Sequence, residues 1–209
     1  KIPLPLQGLS LSAVVSWGEY IYTSNPRMTQ TIDNSSEVIF DNQEVPYWKS
    51  HPTVDGKTVQ HYVPSTPQLA TSLGLAWNKN YWFIDADVDF FGNSYLDMNP
   101  LYRTDMATAG PDGQVTAQEI EYMAAQEKFK NFMLVNASVG KSWYIQRKYQ
   151  LGFSMQVKNL LNNRDVRTGG YEQTRLVDNT VSKERFYRFD SKYFYMSGIN
   201  YMLNIYFRF

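Results

Sequence analysis

Three aspartates at alternate positions form the densest group of potentially reactive side chains in the sequence. Asp85, Asp87 and Asp89 are spaced i, i+2 and i+4, so a β-strand would hold their carboxylates side by side on one face. Such a row can bind a cation or a polar solute, as acidic rings do in pores. The alternative is an ordinary solvated strand face. Both interpretations place water next to this strand.

Other kinds of chemistry find little support in the sequence. The chain has no Cys and only two His, His51 and His61, which predicts no disulfide, no metal site and no cofactor. It contains no nucleophile elbow, no paired-His motif and no glycine-rich phosphate loop, so we predict that it is not an enzyme. A formal net charge of zero gives no electrostatic footprint for nucleic acid.

The aspartates belong to one of six segments in which apolar and polar residues alternate. In their own segment, Trp82, Ile84, Ala86, Val88 and Phe90 occupy the opposite face. The last segment alternates for about 17 residues, whereas a strand of a soluble protein has about 5 or 6. No apolar run reaches the roughly 18 residues of a membrane-spanning helix. We therefore predict an all-β fold of antiparallel, up-and-down transmembrane β-barrel strands near residues 8–24, 62–78, 81–94, 131–146, 149–162 and 193–209. In such a barrel, Asp85, Asp87 and Asp89 would face the lumen.

The connections between these segments alternate between short and long. Asn78-Lys79-Asn80 and Gln146-Arg147-Lys148 are tight, whereas residues 95–130 and 163–192 are long connections. Outer-membrane barrels have short periplasmic turns and longer extracellular loops, which predicts a periplasmic position for the tight turns and for Phe209. Aromatic residues beside the tight turns suggest an interfacial girdle, with simple hairpin packing as the alternative; they are Trp77, Trp82, Trp143 and Tyr149. Gly18 is predicted to mark a β-bulge.

The two long loops contain the candidate binding residues. Thr116-Ala117-Gln118-Glu119 fits a capping box and predicts a short helix over residues 117–128. The second loop is rich in Arg and Tyr, which suit ligand contact, at Arg164, Arg167, Tyr171, Arg175, Arg185, Tyr187 and Arg188. Solvated loop charge is the alternative. The predicted ligand-binding residues are Tyr102, Arg103, Arg167, Tyr171, Arg175, Tyr187 and Arg188.

Six strands are too few to close a membrane barrel. The smallest such barrels have about eight strands, and an open edge in lipid leaves backbone groups unpaired. We therefore interpret Lys1 as the start of a fragment and residues 1–209 as the C-terminal segment of a barrel. The missing N-terminal part would supply the remaining strands.

Several segments resemble the TonB-dependent receptors of Gram-negative outer membranes. Asn159-Leu160-Leu161-Asn162 is similar to their "NLFN" signature, with Leu in place of Phe. The longer segments that resemble receptor barrel strands and loops are STPQLATSLGLAW (65–77), NSYLDMNPLYRT (93–104), SVGKSWYIQRKYQLGFSMQVKNLLNN (138–163), GGYEQTR (169–175) and YFYMSGINYMLNIYFRF (193–209).

This resemblance implies active import of a scarce solute through an outer-membrane barrel. It also implies several partners: a plug domain and further barrel strands of the same receptor, the TonB complex engaged through the missing N-terminus, and the lipid bilayer. A surface lipoprotein is a further partner that it allows, and no plug is present in residues 1–209. The C-terminal residues resemble the signal read by the barrel-assembly machinery; they are Tyr201, Leu203, Ile205, Phe207 and Phe209.

Two other functions remain open from the sequence. A soluble or adhesive β-sandwich could use its aromatic residues to bind a partner chain or a glycan. A passive outer-membrane pore would have the same strands without energy coupling. The sequence does not identify the solute, because selectivity of such barrels resides in loops and plug.

Overall fold

The computed structural model describes residues 2–32, 34–64, 66–146, 148–177 and 187–209. Within these ranges the chain is mostly antiparallel β-structure. Its helical parts are a 3-10 turn (Pro100–Arg103), α1 (Asp105–Thr108) and α2 (Ala117–Ala124). Its strands are β1 (Ile2–Pro3), β2 (Leu9–Trp17), β3 (Arg27–Thr31), β4 (Val38–Glu44), β5 (Ser50–Pro52), β6 (Thr58–Gln60), β7 (Leu69–Lys79), β8 (Trp82–Gly92), β9 (Phe132–Ile145), β10 (Tyr149–Lys158), β11 (Arg167–Tyr171), β12 (Leu176–Val177), β13 (Tyr187–Arg188), β14 (Lys192–Tyr195) and β15 (Asn200–Arg208).

Seven strands form the main sheet, in the order β1-β2-β7-β8-β9-β10-β15, and every neighbouring pair is antiparallel. The six long strands are neighbours in chain order, which confirms the predicted up-and-down arrangement. Within the described residues the sheet does not close, because β1 and β15 form two free edges. No helix in the described part of the chain is both long and apolar enough to cross a lipid bilayer.

The register gives this sheet one apolar face across all seven strands. One row of paired residues crosses the whole sheet and contains Ile2, Leu11, Leu75, Ala86, Ala137, Val157 and Tyr201. An adjacent row, on the other face, consists of Ser10, Ala76, Asp85, Ser138, Gln156 and Met202. The alternation in the sequence therefore becomes a two-sided sheet, with one face apolar and the other mostly polar.

Exposure on these two faces is the reverse of that in a soluble sheet. On the apolar face, Leu73 is 55% exposed and Ile205 is 68% exposed, whereas the aspartates of the polar face are half-buried. All of the buried apolar side chains among the described residues lie outside the main sheet. The core of the described chain therefore lies in the loops at one end of the sheet; it comprises Val45, Leu96, Met98, Leu101, Tyr102, Ala107, Ile120, Met123, Ala124 and Phe129.

The predicted strand 62–78 begins only at Leu69, where β7 starts, and two other predicted strands are interrupted. β2 ends at Trp17, before Gly18, and pairing resumes as a single bridge between Ile21 and Tyr62. The predicted strand 193–209 is two strands, because β14 pairs with β11 while β15 pairs with β10. Across the gap between them, asparagine side chains replace backbone partners: Asn159 Nδ2 donates to Ser197 O, and Ile199 N donates to Asn162 Oδ1.

The tight turns lie close to their predicted positions. Lys79 pairs with Trp82, so the first turn consists of Asn80 and Tyr81, whose φ angles of 50° and 62° fit a two-residue type I′ hairpin. The second turn joins the paired Ile145 and Tyr149, and Arg147 within it lies outside the described residues. Beside these turns, the predicted girdle residues share the apolar face: Trp77, Trp82, Trp143 and Tyr149.

Helix α2 begins as predicted and ends earlier. The Thr116 side chain accepts a hydrogen bond from Glu119 N, as an N-cap does. The helix ends at Ala124 and does not continue to residue 128, because the following residues pair with the chain leaving β8. Leu96 N donates to Glu127 O, and Phe129 N donates to Ser94 O.

Candidate functional site

The three aspartates lie together on the polar face of the main sheet, hydrogen-bonded to β9. Asn136 Nδ2 donates to Asp87 Oδ2 at 2.7 Å and to Asp89 Oδ2 at 3.0 Å. Ser138 Oγ donates to Asp85 Oδ1 at 2.6 Å. Neutral donors of the neighbouring strand therefore meet part of the hydrogen-bonding capacity of the three carboxylates. The described residues contain no cluster of metal-ligating side chains.

The predicted ligand-binding residues separate into a buried group and an exposed group. Tyr102 and Arg103 are fully buried, so neither side chain is accessible to a solute in this structure. Their role as ligand contacts stays a prediction that this arrangement does not support. Both belong to a set of interacting side chains that we call the Arg103–Glu172 cluster, formed by Asn99, Tyr102, Arg103, Glu172 and Arg188.

A carboxylate shared by two guanidinium groups forms the centre of the Arg103–Glu172 cluster. Arg103 binds Glu172 through both terminal nitrogens, and its Nη2 lies 2.9 Å from Glu172 Oε1. Arg188 Nη2 binds the same Oε1. Asn99 N donates to Glu172 Oε2 at 2.8 Å. Because both the Arg103 and Glu172 side chains are completely inaccessible to solvent, this is a charge-assisted, two-pronged ion pair in the loop core.

Local backbone structure places Arg103 in the loop core. Pro100 is in the first turn of the 3-10 segment, and the Asn99 side chain accepts from Leu101 N as its N-cap. The turn directs Arg103 to the C-terminal end of α2, where Nε donates to Ala124 O at 3.1 Å and Nη2 donates to Ala125 O at 3.2 Å. The guanidinium thus satisfies carbonyls that a helix C-terminus leaves free, at the negative end of the helix dipole.

Arg175 and Arg188, two other predicted residues, contact the same cluster from the second long loop. Tyr102 Oη donates to Arg175 O at 2.5 Å and accepts from Phe189 N at 3.2 Å. The Arg188 guanidinium lies 5.5 Å from the Tyr102 ring centroid, and Arg188 Nη1 also donates to Ala125 O. The cluster therefore fastens the loop after β8 to the loop after β11. Burial lowers the pKa of Arg103, and the Glu172 carboxylate opposes that shift.

Arg167, Tyr171 and Tyr187 remain accessible. Tyr171 is 45% exposed and Tyr187 is 39% exposed. Arg167 Nη1 lies 2.5 Å from Glu127 Oε1, and its guanidinium stacks 3.8 Å from the Tyr193 ring centroid. Arg167 lines a cleft of about 790 Å³, between the chain entering β9 and the chain leaving β10. Arg164 lines the same cleft, and Arg185 lies outside the described residues.

A buried histidine pair supports the loop core from a third segment. His51 Nδ1 and His61 Nε2 are 2.7 Å apart, and His61 Nδ1 is 2.7 Å from Trp48 O. A carbonyl only accepts, so His61 Nδ1 carries the proton and its Nε2 accepts from His51. Burial lowers the pKa of His61 to about 3. The pKa of His51 is also lowered, first by burial and then by the Arg103 charge.

Sequence analysis did not identify Glu172, Asn99 or the pairing of His51 with His61. Glu172 lies within the receptor-like segment GGYEQTR, and this resemblance was the one feature of the sequence that could have drawn attention to it. Its partner Arg103 is 69 residues away, and no periodicity links positions at that separation.

The C-terminal residues named as an assembly signal all lie on the apolar side. Tyr201, Leu203, Ile205 and Phe207 pair with apolar residues of β10, and Phe209, beyond β15, is 96% exposed. Recognition of these residues by assembly machinery stays a prediction.

Comparison with known proteins gives little similarity. No family model matches the chain, and no curated protein matches it. Among solved structures, the ferric citrate transporter FecA in its unliganded form is similar, with 18% sequence identity and a TM-score of 0.32. The match covers 68% of this chain and 18% of the transporter chain. Similarity this low transfers neither residues nor a function from the transporter to this chain.

Proposed function

We propose that the chain forms part of the wall and outer loops of a solute-importing receptor in the outer membrane of a Gram-negative bacterium. The observation that carries the proposal is the uncovered apolar face of the main sheet. On β8, Val88 is 40% exposed and Ile84 is 42% exposed, while the intervening aspartates are half-buried. Contiguous exposed apolar surface of this kind marks a surface that is covered in the working protein.

Strand length favours lipid as the cover. The long strands have 9 to 14 residues. A membrane-crossing strand tilted by about 45° needs about 9–11 residues. The 11 residues of β8 extend about 36 Å at about 3.3 Å per residue, which corresponds to about 26 Å along the membrane normal at that tilt. An apolar band on a barrel is about 25 Å tall.

The total surface supports a partner of large area. The chain exposes 13760 Å², whereas a compact monomer of 24.3 kDa exposes about 10,000 Å² by the usual scaling with mass. The excess fits a sheet with lipid on its apolar face, a plug-filled lumen on its polar face and further barrel strands at its edges. The bilayer, further strands and a plug are therefore the partners we propose.

The structure of the loops favours a receptor over a barrel segment that binds no solute. The Arg103–Glu172 cluster joins the loops at one end of the sheet through ion pairs to a buried carboxylate, and the cleft of about 790 Å³ opens beside them. Preorganised loops of this kind reduce the ordering cost of binding a solute. Coupling to TonB, and assembly through the C-terminal residues, are expectations from the receptor-like segments of the sequence.

Single-cysteine labelling tests the lipid-facing assignment, since residues 1–209 contain no Cys and any Cys elsewhere in the full-length protein can first be replaced by Ser. Val88→Cys and Asp87→Cys probe adjacent residues on opposite faces of β8 and serve as matched controls. In the full-length protein in vesicles, we expect a fluorophore at position 88 to be quenched by nitroxide lipids. Position 87 should instead react with a charged maleimide. Equal maleimide reactivity at both positions would refute a lipid-facing sheet.

Two further measurements separate the alternatives. A plugged receptor in a planar bilayer in KCl should give no steady conductance, whereas a passive pore conducts continuously. A β-sandwich predicts instead that the chain, expressed without detergent, is a dispersed monomer with a sharp melting transition. We expect aggregation, because the edges and the apolar face are uncovered.

A further inference from the structure

The tight-turn end of the main sheet carries a one-sided charge. We call residues 76–84, 140–150 and 204–209 the tight-turn rim. The whole chain has 20 basic and 20 acidic residues, yet the rim sequence has no Asp or Glu. Its described basic residues are Lys79, Lys141, Lys148 and Arg208, and Arg147, outside the described residues, follows in the same stretch of sequence. A neutral chain has thus concentrated positive charge at the end where the strands make their shortest connections.

Two of these lysines lie on the apolar face, on either side of a tryptophan. The register pairs Lys79 with Trp82 and Trp82 with Lys141, so the three residues form one row across β7, β8 and β9. Lys141 Nζ lies 5.1 Å from the centroid of the Trp82 ring and donates to Asn80 O at 2.6 Å. Among the described residues, neither lysine forms an ion pair with a carboxylate.

The separation of the two lysines suits one shared anion. Strands in a sheet are about 4.8 Å apart, so the backbones of Lys79 and Lys141 are about 10 Å apart. Their flexible four-carbon side chains can cover that distance from both sides. The anion would lie over Trp82, whose ring belongs at the boundary between the acyl chains and the headgroups.

We propose that Lys79, Trp82 and Lys141 form a binding site for the phosphate of an anionic phospholipid in the leaflet at the tight-turn rim. This proposal rests on the proposed function, because it requires lipid against the apolar face. The lysines attract the headgroup charge, while the apolar rows immediately beyond them receive the acyl chains. In the row at Trp82, the lysines can contact the headgroup of a lipid while the apolar residues beside them contact the acyl chains of the same molecule.

Lipid retention by the full-length protein tests the site. The delipidated protein is titrated with phosphatidylglycerol, and bound molecules are counted by native mass spectrometry. We expect the double variant Lys79→Gln with Lys141→Gln to bind about 30-fold more weakly, since each lysine near an anionic headgroup contributes roughly fivefold. The matched control replaces two exposed lysines in the loops, Lys128→Gln with Lys130→Gln, and should bind as the natural protein does.

The outcomes separate this site from the proposed function. If the rim variant and the loop variant bind phosphatidylglycerol equally, the site is refuted. Lipid quenching of a fluorophore at position 88, measured in the same preparations, then reports on the lipid-facing sheet by itself. Loss of quenching there would refute the proposed function, whereas quenching with unchanged lipid binding would refute the phosphate site alone.

Discussion

Replacing Glu172 by Gln should loosen both long loops while the main sheet stays intact. The substitution keeps the side-chain size but removes the one carboxylate that Arg103 and Arg188 share. Two guanidinium groups would then remain together with no anion between them, and Arg103 is completely buried. Breaking a buried ion pair by removing one partner costs about 3–5 kcal/mol.

This cost predicts a specific exchange pattern. At about 1.4 kcal/mol per factor of ten, amide hydrogen exchange in residues 96–103 and 167–173 should accelerate by roughly 10²–10³-fold or more. The central residues of β7 to β10 should keep their protection, because their ladders do not contact the cluster. Hydrogen exchange read by mass spectrometry resolves these segments in the full-length protein.

Glu127→Gln is the matched control. Glu127 also pairs with an arginine, Arg167, but the two side chains are 31% and 40% exposed. Solvent screens such a pair, so its loss should cost about 0–1 kcal/mol. We infer that the Arg103–Glu172 cluster contributes most to loop stability because it is buried. Equal acceleration of exchange by Glu172→Gln and Glu127→Gln would refute this inference.

Three other predictions concern separate parts of the chain. Because burial lowers the pKa of His61 from 6.5 to about 3, the unfolded segment binds the proton more readily. Loop stability should be complete above about pH 6.5 and, from His61 alone, fall by about 2 kcal/mol by pH 5. Exchange in residues 50–62 should report this slope. Because burial also lowers the pKa of His51, a slope that persists when both His51 and His61 are replaced by Gln would contradict it. Tyr206→Phe removes the 2.5 Å hydrogen bond to the buried Ser142 hydroxyl and should lower the free energy of unfolding by about 1–3 kcal/mol, because that hydroxyl is left unpaired. Adding Ser142→Ala should recover part of this loss in urea unfolding. If nothing is recovered, the unpaired hydroxyl is not the cause of the loss. Val88→Arg should lower the free energy of unfolding of the protein in vesicles by about 2–4 kcal/mol, whereas Asp87→Asn should be close to neutral. Comparable losses of stability in the two variants would argue against lipid on the Val88 side.

The main sheet could be predicted from the sequence because its information is local. A period of two specifies which residues share a face, and the tight turns specify which strands are neighbours. The six long strands and their order follow from this pattern. The two-residue β1 and the short hairpins were missed, since segments of two to seven residues carry too few alternations to stand out.

The breaks in the strands and the loop core could not be predicted, for two different reasons. The alternation continues through residues 196–199, yet Met196 N donates to Val166 O, and the partners of Ser197 O and Ile199 N are asparagine side chains. Alternation does not encode such partners. In the loops, the Arg and Tyr content suggested ligand contacts, yet the structure buries the Tyr102 and Arg103 side chains. Ligand binding by these loops stays a prediction. Whether an arginine faces solvent depends on a partner such as Glu172, which only the folded chain brings near.

The Arg103–Glu172 contact also has a consequence for the order of folding. The hairpins that join β7 to β8 and β9 to β10 close over two or three residues, so their contacts form at low entropic cost. Arg103 and Glu172 are 69 residues apart, with β9 and β10 between them. Their encounter becomes inexpensive only after those two strands have paired and brought both loops to the same end. The loop core should therefore be the last unit to assemble and the first to open, as a separate cooperative unit at the end of a sheet whose central strands have already paired.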